Sequence, residues 1–384
     1  MTIKIAIDML RGKCMSGNEV YTIELTKALV RDYADDEFRA IIYLNKKRES
    51  EGAISGVPNV RYLNVLPHEL ILGRQFMPAV LKFSALIKAR VASGVDIYHC
   101  TNPLFFPFGV RNAVVTLHDL ISLRPEPWTS VASRNFYRQN IGKILREAKV
   151  LFAVSDYTRI DAEQHFPDIA GKFVITPLAA NPVFRQMHVD REFLTRYGVA
   201  NPQKPFLLYV GEIQPRKNVE GMLKAFKAMP ARLRKEYQII VIGSARKDNY
   251  SSFERAMTAL QPDSEIYHFE DVPVEDLVKF YNTAFAFVYL SFFEGFGLPV
   301  IEAMSCGCPV LTSSTTSIAE VAGGAALTVD PSDEDAVMAG LHELLTDEAL
   351  RLSLVEKGVG RSRDFSWKKT AELTMEGYKR ALMV

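Results

Sequence analysis

The sequence predicts an α/β protein built on two doubly wound parallel sheets, and three observations carry that expectation. Short apolar runs alternate with longer amphipathic stretches through most of the chain, which is the rhythm of β-α-β units. Several runs are nearly continuous, as in Phe206-Leu-Leu-Tyr-Val210, and strands of that kind have helices on both faces. The rhythm halts between 177 and 205, where Pro177, Pro182, Pro202 and Pro205 fall with no sustained strand. That stretch reads as a linker, and 384 residues suit two domains at ~150 residues each.

Before the linker, strands are expected at 3–8, 39–44, 60–65, 96–100, 113–117 and 150–154, with helices at 18–32, 75–92, 132–147 and 157–165. After it, strands are expected at 206–210, 238–242, 265–269, 284–290 and 309–312, with helices at 218–229, 252–260, 274–281 and 299–305. Helical stretches follow at 334–345, 348–360 and 367–383. Two Rossmann-like domains of this kind make a cleft between them the expected ligand site.

Lys and Arg total 46 against 45 Asp and Glu, a net charge of +1. A dedicated nucleic-acid binder carries a visible basic excess, so no nucleic-acid partner is expected. The four cysteines, Cys14, Cys100, Cys306 and Cys308, are too sparse for a disulfide framework. Cys306 and Cys308 have no His or further Cys nearby, which favours small buried residues over a thiolate metal site. The start, Met1 to Asp8, lacks the apolar core and cleavage site of a signal peptide, and no apolar run approaches ~18 residues. A cytoplasmic protein is expected, with peripheral contact to the inner face of the membrane left open.

Two segments carry chemistry. Phe293-Glu-Gly-Phe-Gly-Leu-Pro-Val-Ile-Glu-Ala303 puts Glu294 at a strand end, Gly295 and Gly297 in a loop that a ligand can approach closely, Pro299 at a helix start and Glu302 in its first turn. The free amides of a helix start hold anions, and carboxylates beside them suit hydroxyls, so the pattern fits a sugar attached to a diphosphate. The plainer reading of either Glu alone is service to the dipole of a packing helix. Val210-Gly-Glu-Ile-Gln-Pro-Arg-Lys-Asn218 places Arg216 and Lys217 at a helix start directly after a strand. Its plainer reading is a solvated pair on a loop.

Taken together, these segments resemble the GT-B glycosyltransferases, specifically the retaining, nucleotide-sugar-dependent enzymes of family 4. The family's E-x7-E signature matches Glu294 and Glu302, and G-x-x-x-x-R-K-N matches Gly211 to Asn218. Thr116-Leu-His-Asp-Leu120, Val154-Ser-Asp-Tyr-Thr158 and Ala303-Met-Ser-Cys-Gly-Cys-Pro-Val310 match in the expected order. The resemblance implies an acceptor-side domain over 1–182, completed by a helix at 367–384, and a nucleotide-sugar domain over 183–366. It implies that Arg216 and Lys217, beside Gly211, neutralise the donor diphosphate and that Glu302 bonds the ribose. Glu294 would hold hydroxyls of the transferred sugar, helped by amides at Phe296, Gly297 and Leu298. His118 would meet that sugar from across the cleft, making Lys217, Arg216, His118 and Glu294 the catalytic set. Gly17 falls where relatives close a loop over the phosphates, although 15–19 carries one Gly where many carry two. Glu212 stands where some relatives place a further phosphate-binding Arg.

Asp333-Glu-Asp335 matches the Asp-x-Asp of metal-dependent transferases, but its flanks make it an acidic helix start. With Arg216, Lys217 and a helix dipole available to the leaving group, neither metal nor cofactor is expected. The expected reaction is same-face attack by an acceptor hydroxyl through an oxocarbenium-like state, without the nucleophilic carboxylate of retaining hydrolases. The resemblance leans to bacterial polysaccharide and lipopolysaccharide mannosyltransferases, with GDP-mannose as donor and a growing glycan or lipid-linked saccharide as acceptor. UDP-glucose, UDP-GlcNAc and dTDP-rhamnose stay open, as does an epimerase or hydrolase on the same fold. A dinucleotide oxidoreductase is disfavoured, since no strand is followed by Gly-x-Gly-x-x-Gly. The stretch 67–92 sets Phe76, Met77, Val80, Leu81 and Ile87 beside Arg74, Lys82, Lys88 and Arg90. It reads either as a helix packed on the sheet or as a membrane-surface contact.

Overall fold

A computed structural model describes residues 2–9, 17–43, 60–65, 94–245, 247–260 and 265–383. The chain forms two compact units, Met1–Leu178 with Ser366–Val384, and Ala179–Phe365. The expected helix at 75–92, and with it the stretch 67–92, lies outside the described residues.

The N-terminal unit runs β1 (Lys4–Met9), α1 (Gly17–Asp32), β2 (Glu37–Tyr43), β3 (Val60–Val65), β4 (Ile97–Cys100), β5 (Ala113–Leu117), α2 (Val131–Glu147), β6 (Leu151–Ala153), α3 (Asp156–His165) and β7 (Phe173–Ile175). Its strands form one parallel sheet in the order β3-β2-β1-β4-β5-β6-β7. β4 and β5 are buried along their whole length, and the polar side chains they carry, His99 and Thr116, hydrogen-bond each other at 2.7 Å.

The C-terminal unit runs β8 (Phe206–Val210), α4 (Val219–Ala228), α5 (Ala231–Glu236), β9 (Gln238–Ile242), α6 (Lys247–Thr258), β10 (Ile266–Phe269), α7 (Val274–Thr283), β11 (Ala286–Tyr289), α8 (Leu298–Ser305), β12 (Val310–Ser313), α9 (Thr316–Ala322), β13 (Leu327–Val329), α10 (Glu334–Thr346) and α11 (Glu348–Ser362). Its sheet is also parallel, in the order β10-β9-β8-β11-β12-β13. Every residue of β8, β9, β11 and β12 is buried.

The last helix, α12 (Trp367–Met383), packs in the N-terminal unit. Tyr378 hydrogen-bonds His99 Nδ1 at 2.7 Å, and Thr370 Oγ1 donates to the Pro177 carbonyl at 2.6 Å. That last bond ties down the final residues of the unit, which closes at Leu178 rather than at 182.

The structure adds four elements to those expected: β7, β13, α5 and α9. β7 and β13 have three residues each, too few for a period to register. α9 opens at the last residue of Ser313-Ser-Thr-Thr316, a run of turn formers, and Thr316 takes a φ of 59°, which a β-branched residue rarely adopts.

Candidate active site

In the C-terminal unit the strand order reverses between β8 and β11, and ligands of open α/β sheets bind beyond the carboxyl ends of strands at such a switch. The two motif segments are the loops that leave these two strands. Phe292 N–H donates to the Arg216 carbonyl at 2.8 Å, so the loops are stitched together. Gly211 leaves β8 at φ 151° with the Tyr209 hydroxyl packed against it.

Arg216 and Lys217 do not open a helix, as the sequence reading had them. They occupy a tight 3-10 turn, Pro215–Lys217, one step before α4. Asn218 ends the turn in the left-handed region at φ 51°, and its Nδ2 donates to the Pro331 carbonyl at 3.0 Å. This geometry directs both cations inward, leaving the side chains only 15% and 13% exposed, which removes the solvated-pair reading.

Their partner is Glu294, five residues beyond the end of β11 at Tyr289 rather than on the strand end. Its Oε1 accepts from Lys217 Nζ at 2.5 Å, Ser291 Oγ at 2.8 Å and the Tyr289 hydroxyl at 2.9 Å. It also forms an ion pair with Arg216 Nη1 at 2.8 Å, which donates to the Phe293 carbonyl at 2.5 Å. Lys217 also donates to the Tyr289 hydroxyl. Among the described residues none donates to Oε2. Burial raises the carboxyl's pKa, but Arg216 and then Lys217 outweigh it and bring it down to about 2. Burial conversely lowers the Lys217 ammonium, against the pull of Glu294. Ser317 Oγ, from α9, donates to the Glu294 carbonyl at 2.7 Å and fixes the loop from below.

The loop then passes Gly295 and Phe296 to Gly297, at φ 102°, where only glycine sits without strain. Phe296 is buried and meets Phe365 edge-on at 5.6 Å, so its ring anchors the loop. The amides of Phe296, Gly297 and Leu298 meet no acceptor among the described residues. α8 starts at Leu298, which puts Pro299 at the second helical position and Glu302 in the second turn, each one step later than expected. The Tyr281 hydroxyl donates to Glu302 Oε2 at 3.1 Å, and no described residue donates to Oε1. With no cation beside it among the described residues, burial pushes this carboxyl up to about 7, against the Tyr281 hydrogen bond.

The site therefore joins Gly211, Arg216, Lys217, Glu294, Gly295, Phe296, Gly297 and Leu298, with Glu302 on the helix that follows. The sequence reading missed Tyr281, Tyr289, Ser291 and Ser317. Tyr289 and Ser291 close the apolar run of β11 just ahead of Glu294, a position that marks them as site residues once the strand is placed.

His118 and Gly17 belong to the N-terminal unit. His118 follows the end of β5. Its Nε2–H donates to the Thr101 carbonyl at 3.0 Å, and its ring stands edge-on to Tyr21 at 5.0 Å. Burial lowers its pKa to about 4, only partly offset by that bond, so the ring is neutral and Nδ1 is an acceptor. Gly17 is exposed and opens α1 rather than sitting in the loop before it.

Asp333 is the N-cap of α10, accepting from the amides of Asp335 and Ala336 at 3.0 Å. Among the described residues no three His, Cys, Asp or Glu side chains stand close enough to hold a metal ion, and no helix is long and apolar enough to cross a membrane.

Comparison with known proteins places the chain in a family. Residues 15–182 match the family model described as Glycosyltransferase Family 4, and 190–361 match Glycosyl transferases group 1. The chain belongs to the family 4 glycosyltransferases of the GT-B fold. It is 33% identical over 285 residues to O-antigen chain mannosyltransferase B of Escherichia coli, a match spanning 74% of each chain. It is 25% identical over 326 residues to the O-antigen chain mannosyltransferase RfbU of Salmonella typhimurium, covering 84% of this chain and 85% of that one. Among solved structures, sucrose-phosphate synthase from Thermosynechococcus elongatus superposes with a TM-score of 0.77 at 20% identity, covering 98% of both chains. WaaG, a glycosyltransferase involved in lipopolysaccharide biosynthesis, superposes at 0.74 and 17% identity, covering 97% of this chain and 98% of that one. This glycosyltransferase thus has the doubly wound α/β architecture that its sequence predicts.

Proposed function

We propose that this glycosyltransferase moves a mannosyl group from GDP-mannose to a hydroxyl of a growing glycan or lipid-linked saccharide, with retention and without a metal. The observation that carries the reading is the Arg216–Lys217–Glu294 cluster at the switch point, one carboxylate oxygen held by three hydrogen-bond donors and the Arg216 ion pair, the other with no donor among the described residues. Two cations and the amides of Phe296, Gly297 and Leu298 suit a diphosphate, while the open oxygens of Glu294 and Glu302 suit hydroxyls. The mannosyl assignment draws on the named activity of the Escherichia coli and Salmonella relatives.

In this reading Arg216 and Lys217 stabilise the charge that builds on the leaving diphosphate, and Gly211 leaves room for its approach. Glu294 Oε2 accepts from a hydroxyl of the transferred sugar, Glu302 Oε1 from the ribose, and His118 Nδ1 from a sugar hydroxyl. Gly17 belongs with the phosphates. The bond from the anomeric carbon to the diphosphate breaks as the acceptor oxygen approaches the same face. The acceptor's proton passes to a departing phosphate oxygen, so no protein carboxylate becomes covalently bound.

A panel of nucleotide sugars, scored for nucleotide release with and without lipid-linked acceptor, tests the assignment. GDP-mannose should be consumed only with acceptor, and Lys217→Ala should slow transfer at least ~100-fold, the scale for removing one transition-state donor. Turnover of UDP-glucose, UDP-GlcNAc or dTDP-rhamnose instead would overturn the donor, and consumption without acceptor would point to an epimerase or hydrolase. Near-normal turnover by Lys217→Ala would remove the diphosphate role.

A further inference from the structure

We infer that Tyr281 is a positioning residue for donor binding, holding the Glu302 carboxylate so that one oxygen faces the nucleotide's ribose. The inference rests on the proposed ribose role of Glu302 and goes beyond it by naming what aims that carboxylate.

Tyr281 lies on α7, outside both motif segments, and is fully buried. Its ring is clamped edge-on by Phe184 at 5.7 Å and by Phe287 of β11 at 5.3 Å, so its hydroxyl has one direction available. That direction is Glu302 Oε2, at 3.1 Å, and no other described residue donates to this carboxyl. The arrangement repeats what surrounds Glu294: one oxygen held by the protein, the other left to a ligand. At Glu294 three donors and the Arg216 ion pair share the task, whereas at Glu302 a single described hydroxyl performs it. A carboxylate without that bond is free to rotate and to hydrogen-bond elsewhere. Its ribose contact then loses the pre-organisation from which affinity comes.

The ribose hydroxyls supply the test. The wild-type chain is first matched to GDP or UDP, whichever it binds, and affinity is compared with that of the 2′,3′-dideoxy form by calorimetry. Glu302→Gln should weaken the ribonucleotide about tenfold and leave the dideoxy form unchanged. Tyr281→Phe, which keeps the clamped ring, should give a loss of the same kind, on the order of fivefold to tenfold, the scale of one ordinary hydrogen bond. The double variant should bind no worse than Glu302→Gln alone. A Glu302→Asp variant, which withdraws the carboxylate from Tyr281 while keeping its charge, should also lose the discrimination. That variant keeps the question answerable if Tyr281→Phe unfolds. If Glu302→Gln weakens both nucleotides equally, or neither, the ribose reading falls. If Glu302→Gln discriminates but Tyr281→Phe binds like wild type, or weakens both forms alike, the positioning role of Tyr281 is refuted. Full discrimination by Glu302→Asp would refute it equally.

Discussion

Replacing Glu294 with glutamine keeps the side chain's shape and removes the charge that Arg216 and Lys217 hold. A carboxylate in an unfolded chain ionises near ~4.3. In the folded protein burial works against ionisation, but the two cations bring the value down to about 2. At ~1.4 kcal/mol for each tenfold change, the ionised form contributes about 3 kcal/mol at neutral pH. Because the folded value is depressed, that contribution is complete above the unfolded value and is lost as pH falls from about 4 through 2. Glu294→Gln should therefore be about 3 kcal/mol less stable than wild type at pH 7 and only about 1 kcal/mol less stable at pH 3. Urea denaturation across this range measures the difference. Both tryptophans, Trp128 and Trp367, lie in the N-terminal unit, so circular dichroism must report the C-terminal unit. A deficit that stays constant between pH 7 and pH 3 would show that charge pairing is not its source.

Other consequences can be read at single positions. Thr316 sits at φ 59° with its hydroxyl buried and without a partner among the described residues. Left-handed backbone costs an L-residue ~1–2 kcal/mol and glycine's extra entropy costs ~0.5–1 kcal/mol, so Thr316→Gly should raise the C-terminal unit's melting temperature by a few degrees, ~2–4 °C. Calorimetry checks this. Asp333→Ala removes the cap of α10 and should cost about 1 kcal/mol. It should leave transfer and its response to chelator as in wild type, whereas a selective loss of activity would revive Asp333 and Asp335 as a metal site.

The sheets were legible because strands covered on both faces are written as apolar runs, as in Phe206–Val210 and Gln238–Ile242. The site was legible because glycines, cations and carboxylates keep fixed spacings after two of those strands. Its inward geometry was not. That Arg216 and Lys217 point at Glu294 depends on a turn ended by Asn218 at a positive φ, and on the bond from Asn218 to Pro331, 113 residues away. No local pattern encodes a partner at that separation. Tyr281 was hidden for the same reason, since its place in α7 reads as one more apolar position on a packing helix.

Glu294 and Glu302 share one motif, yet one is a fixed anion at neutral pH and the other titrates near it. Their spacing along the chain does not decide this; the reversal of strand order does. It brings the loop of β8 against the loop of β11, and so delivers two cations to Glu294. Glu302, on the helix beyond, receives only a hydroxyl among the described residues. The fixed anion has a further use in the free enzyme. Two buried cations without a partner would be costly, and Lys217 in particular would be driven towards its neutral form by burial. Glu294 keeps both charged and aimed at the switch point before any donor arrives. The cluster's net charge is then one positive unit rather than two. On the proposed reading, an incoming diphosphate would add its charge to cations that are already oriented, and Glu294 would keep a second oxygen for the sugar that the diphosphate carries.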